Sequence, residues 1–204
     1  TNIVGANNLV SSIKDNNFPI EKVVGISTDK ACKPINVMGM TKALQERVLV
    51  EANRDYPKTS FMCVRYGNVI ASRGSIVPLF IEQAANDQPL TVTMPEMTRF
   101  LLSLDRAVDT VFAVLNDGRP GETFVPKVPA ANITDLARAI IGEKNLSIVY
   151  TGIRPGEKIH EIMVSEDECF RTKELGDHYV IVPMLPELRD EQNFEPALLK
   201  EYSS

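Results

Sequence analysis

Two short, almost wholly apolar runs separated by one helix-length stretch limit what this chain can fold into. Lys22 to Ser27 carries Val23, Val24 and Ile26, and Phe61 to Val64 is a second run of the same kind. Neither alternates polar with apolar, so each reads as a strand buried on both faces, as in a parallel sheet covered by helices. Between them Met40, Leu44, Val48 and Ala52 recur every four residues, which predicts one apolar stripe on a helix ending near Asp55. Strand, helix, strand in this order implies a right-handed crossover between parallel neighbours. The expected fold class is α/β with a doubly wound parallel sheet.

The flanking segments extend that pattern. Ile3, Val4, Leu9, Val10 and Ile13 suit a buried amphipathic helix, broken by Asn16 to Pro19. Because the chain opens on a helix and not on a strand with a glycine-rich turn, a missing front end is expected before Thr1. A helix over Pro78 to Asn86 and a strand at Leu90 to Thr93 read as an excursion away from the sheet. Ser103 or Asp105 can cap a helix whose core face is Val108, Val111, Phe112 and Leu115, and Gly118 is placed to end it. Strands are expected at Glu122 to Val125 and Ser147 to Tyr150. Between them Asn132 and Asp135 resemble a capping box before a helix with Leu136, Ala139 and Ile140 inward and Gly142 as its stop. Beyond Ser165, charges alternate with isolated apolar residues, and Pro183, Pro186 and Pro196 punctuate the segment, which predicts an extended, loosely packed tail. The expected division is 1–75 with 99–125 returning to it, then 76–98 with 126–170, then 171–204.

Composition narrows the partners. The 204 residues are 44% apolar, enough for one or two globular domains. The net charge of −5, with acids and bases interspersed, argues against nucleic acid, whose phosphates need clustered Lys and Arg. Cys32, Cys63 and Cys169 are an odd number without CxxC spacing, so neither a disulfide framework nor a zinc site is expected, and a reducing cytoplasm fits. No stretch reaches the roughly 18 apolar residues of a spanning helix, and no basic-then-apolar leader opens the chain, so no membrane is expected for this segment. His160 and His178 have no Asp, Glu or Cys at ligand spacing, and both are expected to be structural.

The chemistry is expected after the first strand. Ser27, Thr28, Asp29 and Lys30 stand at a strand's carboxyl end, where open α/β sheets bind ligands; the bland alternative is a turn with a surface salt bridge. Lys42 follows twelve residues later at the start of the amphipathic helix, where a lysine taken alone is ordinarily just solvated. Arg65, Tyr66, Gly67 and Asn68 stand after the next strand.

With these residues in view the chain resembles a known family. STDKACKPINVMGMTK, VRYGNVIASRGSIVP, MTRF and GIRPGEKIHE occur in the order found in UDP-N-acetylglucosamine 4,6-dehydratases, extended short-chain dehydrogenases of capsule, flagellin-glycan and O-antigen synthesis. The likeness covers about residues 1 to 170, and GIRPGEKIHEIMVSEDE is most similar to the C5-inverting branch. It implies the carboxy-terminal part of a Rossmann-like, NADP-binding domain (with NAD as the alternative) and a small α+β lobe for the UDP-sugar. The reaction implied is C4 oxidation, loss of water across C5 and C6, and hydride return to C6. Asp29 is then the acid for the departing 6-hydroxyl and Lys30 the base at C5, which requires burial or a nearby cation such as Lys42 to favour the neutral amine. Lys42 would bond the nicotinamide ribose and Thr28 the sugar 4-hydroxyl. The parent pattern is YxxxK, and here the tyrosine position holds Met38, which has no exchangeable proton; Asp29, Lys30 or a water is expected to substitute. Ser27, Tyr66, Gly67 and Asn68 are implied at the cofactor, with Asn68, Arg73, Ser75, Arg99, Arg154 and Glu157 at the substrate, the arginines on the diphosphate and ribose. Taken alone, each arginine is more often in a surface ion pair. A homo-oligomer is expected of the intact protein. Two other readings stay open: a UDP-sugar 4-epimerase, which needs no acid at O6, and a fragment that binds only UDP-sugar or a partner. If so truncated, the chain alone is expected to bind dinucleotide weakly or not at all.

Overall fold

The computed structural model describes residues 1–72, 74–189 and 195–204. In chain order the elements are α1 (Asn2–Asp15), β1 (Lys22–Thr28), α2 (Val37–Asp55), β2 (Ser60–Tyr66), β3 (Asn68–Val69), α3 (Ile76–Ala85), β4 (Leu90–Val92) and β5 (Thr98–Leu102). They continue with α4 (Leu104–Asp117), β6 (Thr123–Pro126), β7 (Ala130–Asn132), α5 (Ile133–Ile141), β8 (Ile148–Tyr150), β9 (Ile162–Val164), α6 (Glu166–Cys169), β10 (Thr172–Leu175), β11 (His178–Ile181) and β12 (Tyr202–Ser203). Two compact units result, one of Thr1–Tyr66, Asp105–Lys127 and Ile162–Ser203, the other of Gly67–Leu104, Val128–Glu161 and Ser204.

The first unit is built on a five-stranded sheet of order β1-β2-β6-β11-β10. β1, β2 and β6 are parallel, as the crossover rule requires, and β1 pairs with β2 from Lys22 opposite Ser60 to Thr28 opposite Tyr66. One core cluster joins Ile13, Leu49, Ala52, Phe61 and Cys63 beneath α1 and α2; another joins Met62, Val64, Val114, Phe124 and Val180 beside α4. The α/β class is therefore correct.

Several expectations need correction, beginning with α1, where Ala6 and Ile13 are buried but Val4 and Leu9 are 64% and 47% exposed. The segment after Ser165 is no loose tail: β10 and β11 form an antiparallel hairpin around Gly176 at φ 53°, and β11 pairs with β6 to complete the sheet. Glu174 on β10 is exposed, while Thr172, Val180 and Ile181 are buried. The expected stripe on α2 is half wrong, since Met40 and Leu44 are 49% and 50% exposed and the buried face carries Gly39, Glu46, Leu49, Ala52 and Asn53. Polar residues belong there because they are satisfied: the Asn53 amide donates to the carbonyls of Leu49, Val50 and Phe61, and its oxygen accepts from the Phe61 amide. On α4 the face is misjudged likewise, with Ala107, Thr110 and Val114 buried and Phe112 58% exposed.

The second unit has its own core of Phe80, Ala84, Leu90, Val92, Met97, Ile133 and Ala137. Here β3 pairs with β5 and β5 with β7, while β4 pairs in parallel with β8. Asn132 caps α5 by accepting from the amides of Thr134 and Asp135, and Gly142 ends it at φ 58°.

At Gly39, α2 lies hard against the loop after β1, because a Cβ there would lie 2.2 Å from the Lys30 carbonyl oxygen. Backbone cannot rotate out of the way as a side chain can. Gly39→Ala is expected to destabilise the chain by about 1–3 kcal/mol, read from urea unfolding; an unchanged midpoint would mean that the loop yields freely.

Candidate active site

The carboxyl end of β1 turns at once into a 3-10 turn, Asp29–Ala31, because the Thr28 hydroxyl accepts from the Lys30 amide as an N-cap. That turn folds three expected residues onto one another. The Thr28 hydroxyl donates to Asp29 Oδ1 at 2.8 Å, and Lys30 Nζ donates to the same oxygen at 2.9 Å. Asp29 is fully buried, and its second oxygen, Oδ2, has no hydrogen-bond partner. Lys30 keeps a partly exposed side chain.

Lys42 reaches the same strand end from α2, donating to the Ile26 carbonyl at 2.9 Å and to Gln45 Oε1 at 3.0 Å. Asn36 caps α2 by accepting from the Gly39 amide, which fixes the helix start and thereby the reach of Lys42. Met38, at the expected tyrosine position, is substantially exposed. Tyr66 stands opposite Thr28 in the β1–β2 register, and burial pushes its hydroxyl pKa up. Ser27 faces inward, its hydroxyl donating to Glu46 Oε1 at 2.5 Å.

The remaining expected residues lie in the second unit. Gly67 and Asn68 open it, with Asn68 opposite Leu101. Ser75 precedes α3 without a capping bond, and its hydroxyl is buried and unpartnered. Glu157 likewise has a buried, unpartnered Oε2. Arg154 is exposed, whereas Arg99 donates to the backbone carbonyls of Thr98, Lys158 and Ile159, so part of its guanidinium is engaged within the unit. Arg73 lies outside the described residues. Orphaned buried acceptors are costly, and those of Asp29, Ser75 and Glu157 sit at positions singled out for ligand contact.

A buried ionic network, of which only fragments show in the sequence, joins α2, β2 and α6. Arg65 forks onto both oxygens of Glu46, at 3.1 and 2.7 Å, and onto both oxygens of Glu168, at 2.8 and 3.1 Å, and donates to the Met163 carbonyl at 2.8 Å. Arg65 thus faces the interior. Burial pushes the Glu168 carboxyl up, but the charge and hydrogen bonds of Arg65, the Ser165 amide and Arg171 outweigh it and hold the pKa at about 2. Two signals point to this network: Glu46 stands one turn beyond Lys42, and Ser165 with Glu168 reads as a capping box, which the structure contains. No group of three or more His, Cys, Asp or Glu placed to hold a metal occurs among the described residues. Nor is any helix among them long and apolar enough to cross a membrane.

A family model described as "Polysaccharide biosynthesis protein" matches residues 1–183. The chain belongs to that family. A curated relative of this polysaccharide biosynthesis family member, named UDP-glucose 4-epimerase, from Rickettsia typhi, is 44% identical over the whole chain, which covers 62% of that relative's length. Among solved structures, Pen from Bacillus thuringiensis aligns over the whole chain and 63% of its own length, with a TM-score of 0.89 and 33% identity. The dTDP-glucose 4,6-dehydratase DesIV of Streptomyces venezuelae, solved with NAD and TYD bound, covers 78% of the chain and 55% of its own length at a TM-score of 0.69 and 19% identity, a likeness of fold. The chain therefore spans about three fifths of the relatives that it matches.

Proposed function

We propose that the intact protein is a nucleotide-sugar-modifying enzyme of polysaccharide synthesis, and specifically a dehydratase that removes water across C5 and C6 of UDP-N-acetylglucosamine. The observation that carries this reading is the buried Asp29, with Thr28 and Lys30 both on Oδ1 and nothing on Oδ2. An elimination needs an acid and a base at once. Proton transfer along the 2.9 Å Lys30–Asp29 bond converts the ion pair into a neutral amine and a neutral acid, which supplies both. Asp29 then protonates the departing 6-hydroxyl, Lys30 takes the C5 proton, and the same amine returns a proton to C5. The 4-hydroxyl proton leaves to solvent through the part-buried Thr28 hydroxyl as C4 is oxidised, and a solvent proton reaches Asp29 through the same hydroxyl once water has left, so the pair ends as it began. This relay needs no phenol at Met38.

The residues present fit a nicotinamide dinucleotide. Two of the three Lys42 N–H groups are on Ile26 and Gln45, leaving the third for a ribose hydroxyl. NADP, or NAD in its place, when bound supplies the hydride acceptor for C4 and the donor for C6. In the second unit, Arg154 offers a fork for the diphosphate, and the unpartnered oxygens of Ser75 and Glu157 offer acceptors for sugar or ribose hydroxyls. Asn68, Arg99 and Arg73 complete the proposed substrate contacts, with Ser27, Tyr66 and Gly67 on the cofactor side. We also propose a homo-oligomer in the cytoplasm.

A second reading, a UDP-sugar 4-epimerase, is favoured by the name of the Rickettsia typhi relative. Incubating the intact protein with UDP-N-acetylglucosamine and NADP, with mass spectrometry of the sugar nucleotide, separates the two. The dehydratase reading expects a product lighter by one water. A product of unchanged mass with inverted C4 would replace it with the epimerase.

A further inference from the structure

A cavity of about 520 Å³ opens within the first unit beside the Arg65 network, between the loop after Lys30, α2 and the segment around α6. That is within the size range of small-molecule sites. Its charges are uneven. Lys33 at its edge is engaged by Glu166 and Glu201, which leaves four guanidiniums facing Glu46, Asp167 and Glu168. Arg65 is matched by Glu46 and Glu168, and Arg171 shares Glu168 at 3.4 Å while donating also to the Val182 carbonyl.

Arg47 and Arg189 are different. Arg47 donates to Met184 Sδ at 3.8 Å, and Arg189 donates to the carbonyls of Pro183 and Met184 at 2.9 and 3.0 Å. Among the described residues neither has a carboxylate within ion-pair distance, and both side chains are exposed, so their remaining N–H groups are open to a ligand. The crowding registers on Arg171: burial, together with the charges of Arg47, Arg65 and Arg189, lowers its pKa despite the opposing pull of Glu168. Guanidiniums held together with too few carboxylates are relieved by an anion, and each planar fork matches a pair of phosphate oxygens.

We propose that this cavity binds a compact phosphate-bearing anion, gripped by Arg47 and Arg189. Residues 190–194 lie outside the described residues and form no part of the site. The proposal does not depend on the dehydratase chemistry, since none of Thr28, Asp29, Lys30 and Lys42 lines the cavity.

The probe is inorganic pyrophosphate, titrated calorimetrically into the chain at low ionic strength, where charge interactions are least screened. Arg47→Gln and Arg189→Gln are each expected to weaken binding by about tenfold, the effect of losing one charge-assisted contact. Arg138→Gln, at an exposed arginine of the second unit paired with Asp135, removes the same charge and is expected to leave binding unchanged. Because Arg47 and Arg189 are exposed, their variants are expected to melt with the wild type in the absence of pyrophosphate. Failure of pyrophosphate to bind the wild type, or equal weakening by Arg138→Gln, would overturn the proposal. So would undiminished binding in both cavity variants.

Discussion

Arg65→Met is expected to lower the stability of the chain by about 3–5 kcal/mol, the range for breaking a buried ion pair from one side. The replacement matches the arginine's apolar stem but leaves two carboxylates, Glu46 and Glu168, buried without their shared cation. Denaturant unfolding at neutral pH measures the loss, and a change below about 1 kcal/mol would show that the network contributes little. The pH dependence provides an independent check. In the wild type the folded Glu168 pKa of about 2 lies below the ordinary 4.5, so its contribution is complete above the ordinary value and is lost as pH falls from there toward 2. In Arg65→Met the uncompensated carboxyls favour their neutral forms in the folded state. The variant is therefore expected to gain stability on mild acidification, where the wild type is flat or losing it. Adding Glu46→Gln and Glu168→Gln to Arg65→Met is expected to recover much of the deficit, because a neutral trio no longer buries unpaired charge.

On the proposed dehydratase reading, Asp29→Asn in the intact protein is expected to cut turnover by about 10²–10⁴, the range associated with losing one general acid or base. The amide keeps the shape and can still receive the Thr28 hydrogen bond, but it cannot protonate a leaving hydroxyl. Oxidation at C4 should survive, so reduced nicotinamide is expected to accumulate on the enzyme and to be visible in its absorbance. Lys30→Ala is expected to abolish exchange of the C5 proton with solvent deuterium, followed by NMR, while Met38→Ala, at an exposed thioether outside the Thr28–Asp29–Lys30 cluster, should be milder. Wild-type exchange in Lys30→Ala would remove Lys30 from the chemistry and leave the proposed elimination without a base.

The residues proposed to carry this chemistry stand close together in the chain. Ser27 to Lys30 span the end of one strand and the turn after it, and Lys42 is placed by a capped helix, so local signals were enough to single them out as candidates. Arg65, expected just after the second strand, lies inside β2 and turns inward. Its partners stand 19 and 103 residues away, and no local pattern announces that a guanidinium will turn inward to meet them.

By itself the sequence determined the kind and order of the elements in the first unit: apolar runs too uniform for a surface strand, a four-residue period between them, and the parallel β1–β2 pairing that follows. It also determined where helices start and stop, because Asn132 at the start of α5, and Gly118 and Gly142 at the ends of α4 and α5, act within one turn of their own positions. Only the tertiary structure decided which face of each helix is covered. On α2, Glu46 and Asn53 lie inside and Met40 outside, because burial depends on whether a distant partner satisfies each polar group and on what packs against each apolar one. The same holds for the β10–β11 hairpin. Its residues look solvated in one dimension and become the sheet's edge only when β6 offers them a row of unpaired backbone groups.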